Sequence, residues 1–348
     1  MFKNLKHSIV FILIVITLLF VVVMSLAAFK PVPNINTAAV SAQNGNESKY
    51  GKWSGLGMGL FSTYVTSDFD EHIDDLLANG FTELRIDIPD YQDTLWLAQS
   101  KAAVKRAVAK GVKVIWGVSS NALNNTDYTI TAKNWSTFRQ AILDAAQWAQ
   151  ANRVFEFQLG NEEEFHVDGD TMTEAQIITN LKSVATEIKA IFTRGKVSYS
   201  CAHNYISEWI ATGKGNIDIL ASNVYMGGTT FDDTWKTEID YLVNAFGADS
   251  TYITEFNLSY RGLDYYSTDE TVQAAALTEM IEYIKASGMT RAFYFCYQSD
   301  NFGALKTDGT YRLLWNQALL SSESAKFATV PTKATTISLP NTVAFIQS

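Results

Sequence analysis

The chain has 348 residues, of which 47% are hydrophobic, 18% are charged and only 5 are prolines, a composition that excludes a disordered or fibrous protein. Its 36 acidic and 27 basic residues give a formal charge of −9, which argues against a nucleic-acid-binding surface. Two cysteines and four histidines are too few for a disulfide framework or a histidine-rich metal centre. At this length, one large α/β barrel or two medium domains are expected.

The N-terminus has the pattern of an export segment. Lys3, Lys6 and His7 precede an apolar run over residues 9–29, which is typical of a signal peptide or of a retained N-terminal membrane anchor. Either form predicts a secreted or otherwise extracytoplasmic protein. Residues 1–29 contain two lysines and no acids, so their removal takes the formal charge from −9 to −11. Residues 30–50 are rich in Asn, Ser and Ala and are interpreted as a linker.

From residue 51 onward, short apolar runs alternate with amphipathic stretches. Strands are predicted over residues 55–61, 82–88, 112–118, 154–159, 197–202, 217–224, 251–254 and 291–296. Helices are predicted over residues 68–78, 94–110, 135–150, from 171 to about 194, 207–212, 235–246, 267–286 and 311–320, two of them after the capping-box patterns Thr171-x-x-Glu174 and Ser267-x-x-Glu270. The pattern predicts an α/β protein, a (β/α)8 TIM barrel forming a single catalytic domain over residues 51–320, with a C-terminal tail over 321–348.

An open, doubly wound α/β sheet is the alternative fold. That fold requires a glycine-rich phosphate-binding turn after an early strand. The sequence GLGMGL over residues 55–60 has two of the required glycines, but Leu60 stands where the third is needed and no strand precedes Gly55. The segment is therefore interpreted as a strand and the barrel is preferred.

In a barrel of this kind, function lies at the C-terminal ends of the strands. The residues predicted there are carboxylates, amides and phenols, with no lysine suited to a Schiff base and no His-x-His pair. Glu162 ends strand four and Glu255 ends strand seven, so the two side chains enter the central cavity from opposite walls. Two such carboxyls support retaining glycoside hydrolysis, one as nucleophile and one as acid/base. Either Glu alone is more simply explained as an exposed loop acid.

Residues from about 52 to 320 resemble the glycoside hydrolase clan A barrels, the retaining β-glycanases and β-glycosidases of cellulase, mannanase and β-1,3-glucanase type. The resemblance rests on Gly160-Asn161-Glu162, Thr254-Glu255-Phe256 and Leu84-Arg85-Ile86. It implies that Glu162 is the acid/base, Asn161 binds the sugar 2-hydroxyl and Glu255 is the nucleophile. Arg85 would contact Glu255 and favour its charged form. Glu163 and Glu164 are interpreted as loop acids.

Further positions are assigned through the same resemblance. Tyr225 fits the tyrosine whose hydroxyl bonds the nucleophile. Asn223 stands where many cellulase-like families have a histidine, and Tyr297 stands near the place of a tryptophan that supports the central sugar, so the chain departs from the pattern at both. His203, after strand five, is interpreted either as a contact to substrate or Glu162, or as a structural histidine.

Two groups of residues have less specific interpretations. Exposed aromatic rings at the strand ends would stack on sugars, and the candidates are Tyr64, Tyr91, Trp96, Trp209 and Tyr297. Cys201 and Cys296 are predicted to be buried thiols rather than a disulfide. The acidic segment over residues 164–170 is interpreted as a solvated loop.

The sequence therefore predicts an exported, retaining glycoside hydrolase that cleaves a neutral β-linked polysaccharide or oligosaccharide of glucan or mannan type. No cofactor or metal is expected, the partner is the carbohydrate substrate and not nucleic acid, and the chain is expected to be a monomer. Two alternatives stay open. One is a barrel that binds carbohydrate without turnover, and the other is a metal-dependent sugar isomerase or lyase.

Overall fold

The computed structural model describes residues 53–60, 69–88, 94–119, 129–227, 234–258 and 262–320, all within one compact unit, Ser48–Ser348. The predicted export segment, linker and C-terminal tail lie outside these ranges, as do Tyr64, Tyr91 and the side chain of Trp96. Within the described ranges, the helices are too short or too polar to cross a membrane.

The described strands form a closed, all-parallel barrel, which confirms the predicted (β/α)8 fold. Each strand pairs with the next in the chain, and β8 pairs with β1. The strands are β1 (Gly55–Leu60), β2 (Glu83–Ile88), β3 (Lys113–Val118), β4 (Glu156–Asn161), β5 (Lys196–Cys201), β6 (Ile219–Tyr225), β7 (Ile253–Asn257) and β8 (Arg291–Tyr294). β4 and β7 each extend two or three residues beyond their predicted ends, so Asn161 and Glu255 belong to strands.

Helices connect the strands on the outside of the barrel. They are α1 (Phe69–Ala78), α2 (Thr94–Ala109), α3 (Trp135–Ala151), α4 (Glu174–Ile191), α5 (Ile206–Thr212), α6 (Thr234–Phe246), α7 (Leu263–Tyr266) and α8 (Glu270–Ala286), followed by a π-helical turn at Trp315–Leu320. Short 3₁₀ turns lie at Glu163–His166 and His203–Tyr205. The last helical segment begins later than predicted because Tyr311 bridges to Leu305 and the Arg312 amide donates to Ala304, which holds this stretch extended.

The capping box of α4 lies two residues beyond the predicted one. The side chain of Thr173 accepts from the Gln176 amide, and the Gln176 side chain accepts from the Thr173 amide. Thr171 instead donates its hydroxyl to Asp168 at 2.6 Å. At α8, the side chain of Asp269 accepts from the Thr271 amide at 2.8 Å, so this helix also begins later than Ser267, which the pattern marked. Both differences arise because a nearby second acceptor competes for the first free amides.

Glycines in the barrel wall make room for neighbouring side chains and backbone. A Cβ at Gly57 in β1 would lie 2.2 Å from the ring of Phe293, and one at Gly117 in β3 would lie 2.3 Å from the carbonyl oxygen of Gln158. The glycine-rich segment over residues 55–60 is thus a barrel strand, as predicted.

Alternation along the strands places charge inside the barrel. In β2, Glu83 and Arg85 are two residues apart and share the inner face, whereas Leu84 and Ile86 join the apolar layer beneath the helices. A small apolar cluster of Ile115, Ile219, Ala221, Tyr252 and Phe293 is separate from that layer. Arg85 lies further toward the C-terminal end of β2 than Glu83, so the interior has one polar set at each end.

The polar set at the N-terminal end of the barrel is a buried ion cluster. Arg291 bonds Glu83 at 3.2 Å and also Glu156, and its guanidinium lies 4.3 Å from the ring centroid of Tyr252. Lys113 bonds Glu83 at 2.9 Å. A cavity of about 620 Å³ opens onto these residues. Because the two basic and two acidic side chains of this ion cluster neutralise one another, we interpret this end of the barrel as structural.

Candidate active site

Arg85 is the hub of the polar set at the C-terminal end of the barrel. Its guanidinium donates to Glu255 at 2.7 Å, to Gln158 at 2.8 Å and to Asn161 at 3.0 Å. The side chain is 2% exposed. Three strands, β2, β4 and β7, therefore converge on one buried cation, which fixes the orientation of the carboxylate and the two amides.

Glu255 is held at both carboxylate oxygens. Oε1 accepts from Arg85, and Oε2 accepts from the hydroxyl of Tyr225 at 2.6 Å. Burial raises the pKa of Tyr225 well above its ordinary value, and the charge of Glu255 adds to the effect, so the phenol keeps its proton and remains a donor. A guanidinium and a phenol that donate to the two oxygens of one carboxylate fix its position and orientation.

Glu162 has the opposite environment. Burial and, after it, the neighbouring charge of Glu255 raise its pKa from 4.5 to about 8, against the hydrogen bond from Asn223 and the charge of Arg85. At neutral pH, Glu162 is therefore mainly protonated. Its backbone is left-handed, with φ of 58° and ψ of 34°. This is an uncommon conformation for a non-glycine residue and one that is found at functional sites.

An amide network connects the two carboxyl groups. The Oδ1 atom of Asn161 accepts from Arg85 and, at 3.2 Å, from Asn223. The Nδ2 group of Asn161 has no partner among the described residues, which leaves it available to donate to a ligand. The Oδ1 atom of Asn223 accepts from Ser200 and from Thr254, each at 2.9 Å. These bonds fix the orientation of both amides.

Three members of this network, Gln158, Ser200 and Thr254, are not predicted from the sequence. All three are buried and bonded to predicted site residues. Their signal in the sequence is weak, because a single Gln, Ser or Thr within a strand is common. Gln158 lies two residues after Glu156 on the same strand face, and this spacing is the one feature that marks it as inward-facing.

Two acids interpreted as loop residues are buried instead. Glu163 is fully buried and accepts from the Asn161 amide at 3.0 Å. Glu164 is 1% exposed and accepts from Tyr199 at 2.7 Å and from Trp209. The interpretation as solvated loop acids is wrong, because the chain turns back into the barrel wall directly after Glu162.

Tyr297 does not join the site. Its ring is 1% exposed, and its hydroxyl donates to Asp75 of α1 at 2.9 Å, while the ring contacts Trp315 at 5.9 Å. The side chain therefore points into the helix layer, and the proposed role as a sugar platform is wrong. An aromatic ring that does lie beside the site is Phe302, 6.5 Å from Tyr225. It was missed because it lies in an irregular loop after β8.

Trp209 is also excluded as an exposed sugar platform, because it is fully buried against Tyr199. His203 is half-buried, and its ring lies edge-on to Phe165 at 6.2 Å. Burial lowers its pKa below the ordinary value, so the imidazole is neutral at neutral pH. Phe165 is 44% exposed and also contacts Tyr205, with 5.5 Å between the ring centroids. His203, Phe165 and Tyr205 therefore form one group of rings, to which Phe165 is contributed by the turn that comes after Glu162 in the chain.

The cysteine prediction is confirmed, because Cys201 and Cys296 are free and buried. Within the described parts of the chain, no group of three His, Cys, Asp or Glu side chains is arranged to hold a metal ion. The chemistry available at the C-terminal end of this barrel is that of two carboxyl groups in contrasting environments.

Comparison with known proteins finds relatives by structure alone. No family model and no curated protein sequence matches the chain. The exo-β-1,4-mannosidase Op5Man5 from Opitutaceae bacterium strain TAV5 is 13% identical with a TM-score of 0.62 over 78% of this chain, which spans only 60% of the mannosidase. The hyperthermophilic endocellulase from Pyrococcus horikoshii is 12% identical, with a TM-score of 0.57 over 76% of this chain and 91% of that one.

A third solved structure extends the comparison. The catalytic domain of the major endoglucanase from Xanthomonas campestris pv. campestris is 14% identical, with a TM-score of 0.54 over 76% of this chain and 93% of that one. At such low identity the likeness concerns the fold. This chain therefore has the (β/α)8 barrel fold that these three enzymes share.

Proposed function

We propose that the protein is a retaining glycoside hydrolase that acts on β-linked glucans or mannans. The observation that carries the proposal is the contrast between two neighbouring carboxyl groups at the C-terminal end of the barrel. Glu255 accepts from Arg85 and Tyr225, and Glu162 has a pKa raised to about 8. One charged carboxylate and one protonated carboxyl are what double displacement requires.

In the first step, Glu255 attacks the anomeric carbon and the glycosidic bond breaks. Glu162 donates its proton to the leaving oxygen, so the leaving group departs as a neutral alcohol. The bonds from Arg85 and Tyr225 hold Glu255 in position for attack. The free Nδ2 group of Asn161 donates to the sugar 2-hydroxyl, an interaction that strengthens in the transition state.

In the second step, Glu162 is a carboxylate and acts as a general base. It takes a proton from water, the water oxygen bonds to the anomeric carbon, and Glu255 leaves as a carboxylate. The proton returned to Glu162 regenerates the starting state. Both displacements invert the carbon, so the product retains the β configuration.

The substrate class is supported by charge and by the structural relatives. A chain with a formal charge of −9 favours a neutral polysaccharide over an anionic one. The relatives named above are a β-1,4-mannosidase, an endocellulase and an endoglucanase. The apolar run over residues 9–29 supports an extracytoplasmic site of action, where such polymers are met.

The first experiment measures hydrolysis of β-1,4-glucan, β-1,3-glucan, β-mannan and xylan by the full chain. We expect release of reducing sugar from a glucan or mannan, and its loss by at least 1000-fold in Glu255→Ala and Glu162→Ala. Exposed Glu208→Ala is the matched control and keeps wild-type activity. Binding of a polymer without turnover would instead favour the carbohydrate-binding barrel, and a chelator-sensitive activity that survives Glu255→Ala would favour the metal-dependent alternative.

The second experiment assigns the two roles with azide and an aryl β-glycoside that has a good leaving group. In Glu162→Ala the glycosyl-enzyme still forms, and azide should trap it as the β-glycosyl azide. In Glu255→Ala azide occupies the space of the lost carboxylate and should give the α-glycosyl azide. The opposite pairing of variant and product would contradict the assigned roles.

A further inference from the structure

We propose that Glu164 is a positioning residue for Glu162: its buried carboxylate, held by Tyr199 and Trp209, fixes the turn that presents Glu162 and places a second negative charge beside it. This inference rests on the proposed function only for its catalytic consequence. The arrangement itself is present in the structure, and nothing in the double displacement requires a third carboxyl group.

Tyr199 connects the turn to the barrel wall. Its hydroxyl donates to Glu164 at 2.7 Å and accepts from the Glu163 amide at 2.9 Å. Tyr199 lies on β5 and is fully buried. One phenol therefore bonds both residues that follow Glu162, and it anchors the 3₁₀ turn to the neighbouring strand.

Glu164 has a donor at each carboxylate oxygen. Oε2 accepts from Tyr199 and Oε1 accepts from the indole N–H of Trp209 in α5, with further bonding from the backbone amide of Ala202. A carboxyl group buried merely for packing would not need this set of donors, since an apolar side chain of the same size would avoid the desolvation cost. The donors offset part of the cost of burying a charged Glu164, although burial still raises its pKa.

The turn that these bonds hold is strained at Glu162. The left-handed backbone of Glu162 costs about 1 kcal/mol or more relative to ordinary conformations, so it persists only when neighbouring contacts compensate. Those contacts are the Glu162 amide to Ser200 at 2.8 Å, the Phe165 amide to the Glu162 carbonyl at 3.0 Å, and the bonds of Tyr199. Gly160 permits the close packing, because a Cβ there would lie 2.8 Å from the Tyr199 ring.

Glu162 and Glu164 each lie among other titratable side chains. Among the described residues, the titratable and charged groups that face Glu162 are Glu255, Glu164, Arg85, Tyr225 and Cys201, and those that face Glu164 are Glu162, Tyr199, Cys201 and Tyr205. Burial raises the pKa of Glu164 to about 7, and its charge in turn raises the pKa of Glu162. When Glu164 is ionised it therefore keeps the proton on Glu162, which the first step consumes.

The test compares Glu164→Gln with the matched control Glu163→Gln in the full chain. Glu163 is equally buried, and a glutamine there can still accept from Asn161. The readout is the titration of Glu162 by carboxyl ¹³C NMR, with its signal assigned as the one lost in Glu162→Gln. We expect Glu164→Gln to lower the midpoint by about 1 pH unit, and the alkaline limb of kcat/KM to move down equally. Glu163→Gln should leave both unchanged.

An unchanged midpoint in folded Glu164→Gln would overturn the proposal, as would equal shifts in the two variants. If Glu164→Gln does not fold, the Trp209→Phe variant tests the proposal instead. Loss of the indole donor raises the pKa of Glu164, so a smaller fraction of Glu164 is charged at a given pH. A smaller downward shift of the Glu162 midpoint then supports the proposal and an unshifted midpoint overturns it. If the wild-type chain cleaves no glycoside, the proposed function fails while the NMR titration still decides the positioning role.

Discussion

Arg85 donates to Glu255 across the barrel at 2.7 Å, and this single contact joins the second and seventh strands of the chain. The two residues are 170 positions apart in sequence, and both are buried. The same guanidinium also orients Gln158 and Asn161, so the proposed nucleophile and the amide beside the proposed acid/base depend on one side chain. The geometry of the proposed reaction therefore depends on Arg85.

Arg85→Lys should reduce kcat/KM by about 100-fold or more, although the charge is kept. A lysine ammonium cannot reproduce the planar fork that reaches three acceptors on two strands. The measurement is kcat/KM on the best substrate of the panel, with folding checked by circular dichroism. Arg139→Lys, at a partly exposed ion pair with Glu187, is the control and should keep full activity. Wild-type kcat/KM in Arg85→Lys would contradict the hub role.

Tyr225→Phe should lower kcat by about 10- to 100-fold with little change in stability. The variant removes the hydrogen bond to Oε2 of Glu255 and keeps the ring and its contact with Phe302. Because the bond orients the nucleophile, both displacement steps should slow. Tyr283→Phe, whose hydroxyl bonds Asp240 on the outer helices, is the matched control. Equal kinetics of Tyr225→Phe and wild type would show that Arg85 alone positions Glu255.

Glu162→Gln should stabilise the protein at alkaline pH. The pKa of Glu162 is raised from 4.5 to about 8 on folding, so between these values the folded chain binds a proton that the unfolded chain has released. The stability of the wild type therefore falls as the pH rises through this window. We expect the free energy of unfolding of Glu162→Gln to exceed that of wild type by about 2 to 4 kcal/mol at pH 8.

Urea denaturation of both proteins at pH 4, 6 and 8 measures this difference. The gain should be small at pH 4, where both states of the wild type carry the proton, and should grow toward pH 8. A gain that is the same at every pH would contradict a raised pKa at Glu162. The stabilised variant should be inactive, because glutamine cannot supply the proton that Glu162 donates. A gain in stability with a loss of activity is typical of substitutions at an active site.

Arg291→Met should destabilise the fold by about 3 to 5 kcal/mol. The variant leaves Glu83 and Glu156 buried at the N-terminal end of the barrel without their shared cation. Because this cluster lies at the end opposite the candidate active site, kcat per folded molecule should not change. Chemical denaturation and active-site titration measure the two quantities separately. A decrease of under 1 kcal/mol in the free energy of unfolding would contradict this prediction and would show that Lys113 is enough to balance the charges of Glu83 and Glu156.

The sequence determined the barrel and the positions of the two central carboxyl groups. Alternating strands and helices predicted eight parallel strands, and in such a barrel the C-terminal strand ends meet at one edge. Strand position placed Glu162, Glu255, Arg85, Asn161, Asn223 and Tyr225 at that edge, the resemblance to clan A barrels singled them out, and the structure brings them into one network. The prediction succeeded because strand position is a local property of the sequence.

Tertiary structure alone decided where side chains beyond the strand ends point. Tyr297 follows β8 but turns toward Asp75, and Glu164 follows β4 but turns inward to Tyr199, 35 residues further along the chain. Both outcomes depend on the path of an irregular segment and on partners distant in sequence. Periodicity fixes which face of a strand a residue occupies, but it does not specify the direction of a side chain once the strand has ended, because there the partners that satisfy buried polar groups come from other elements.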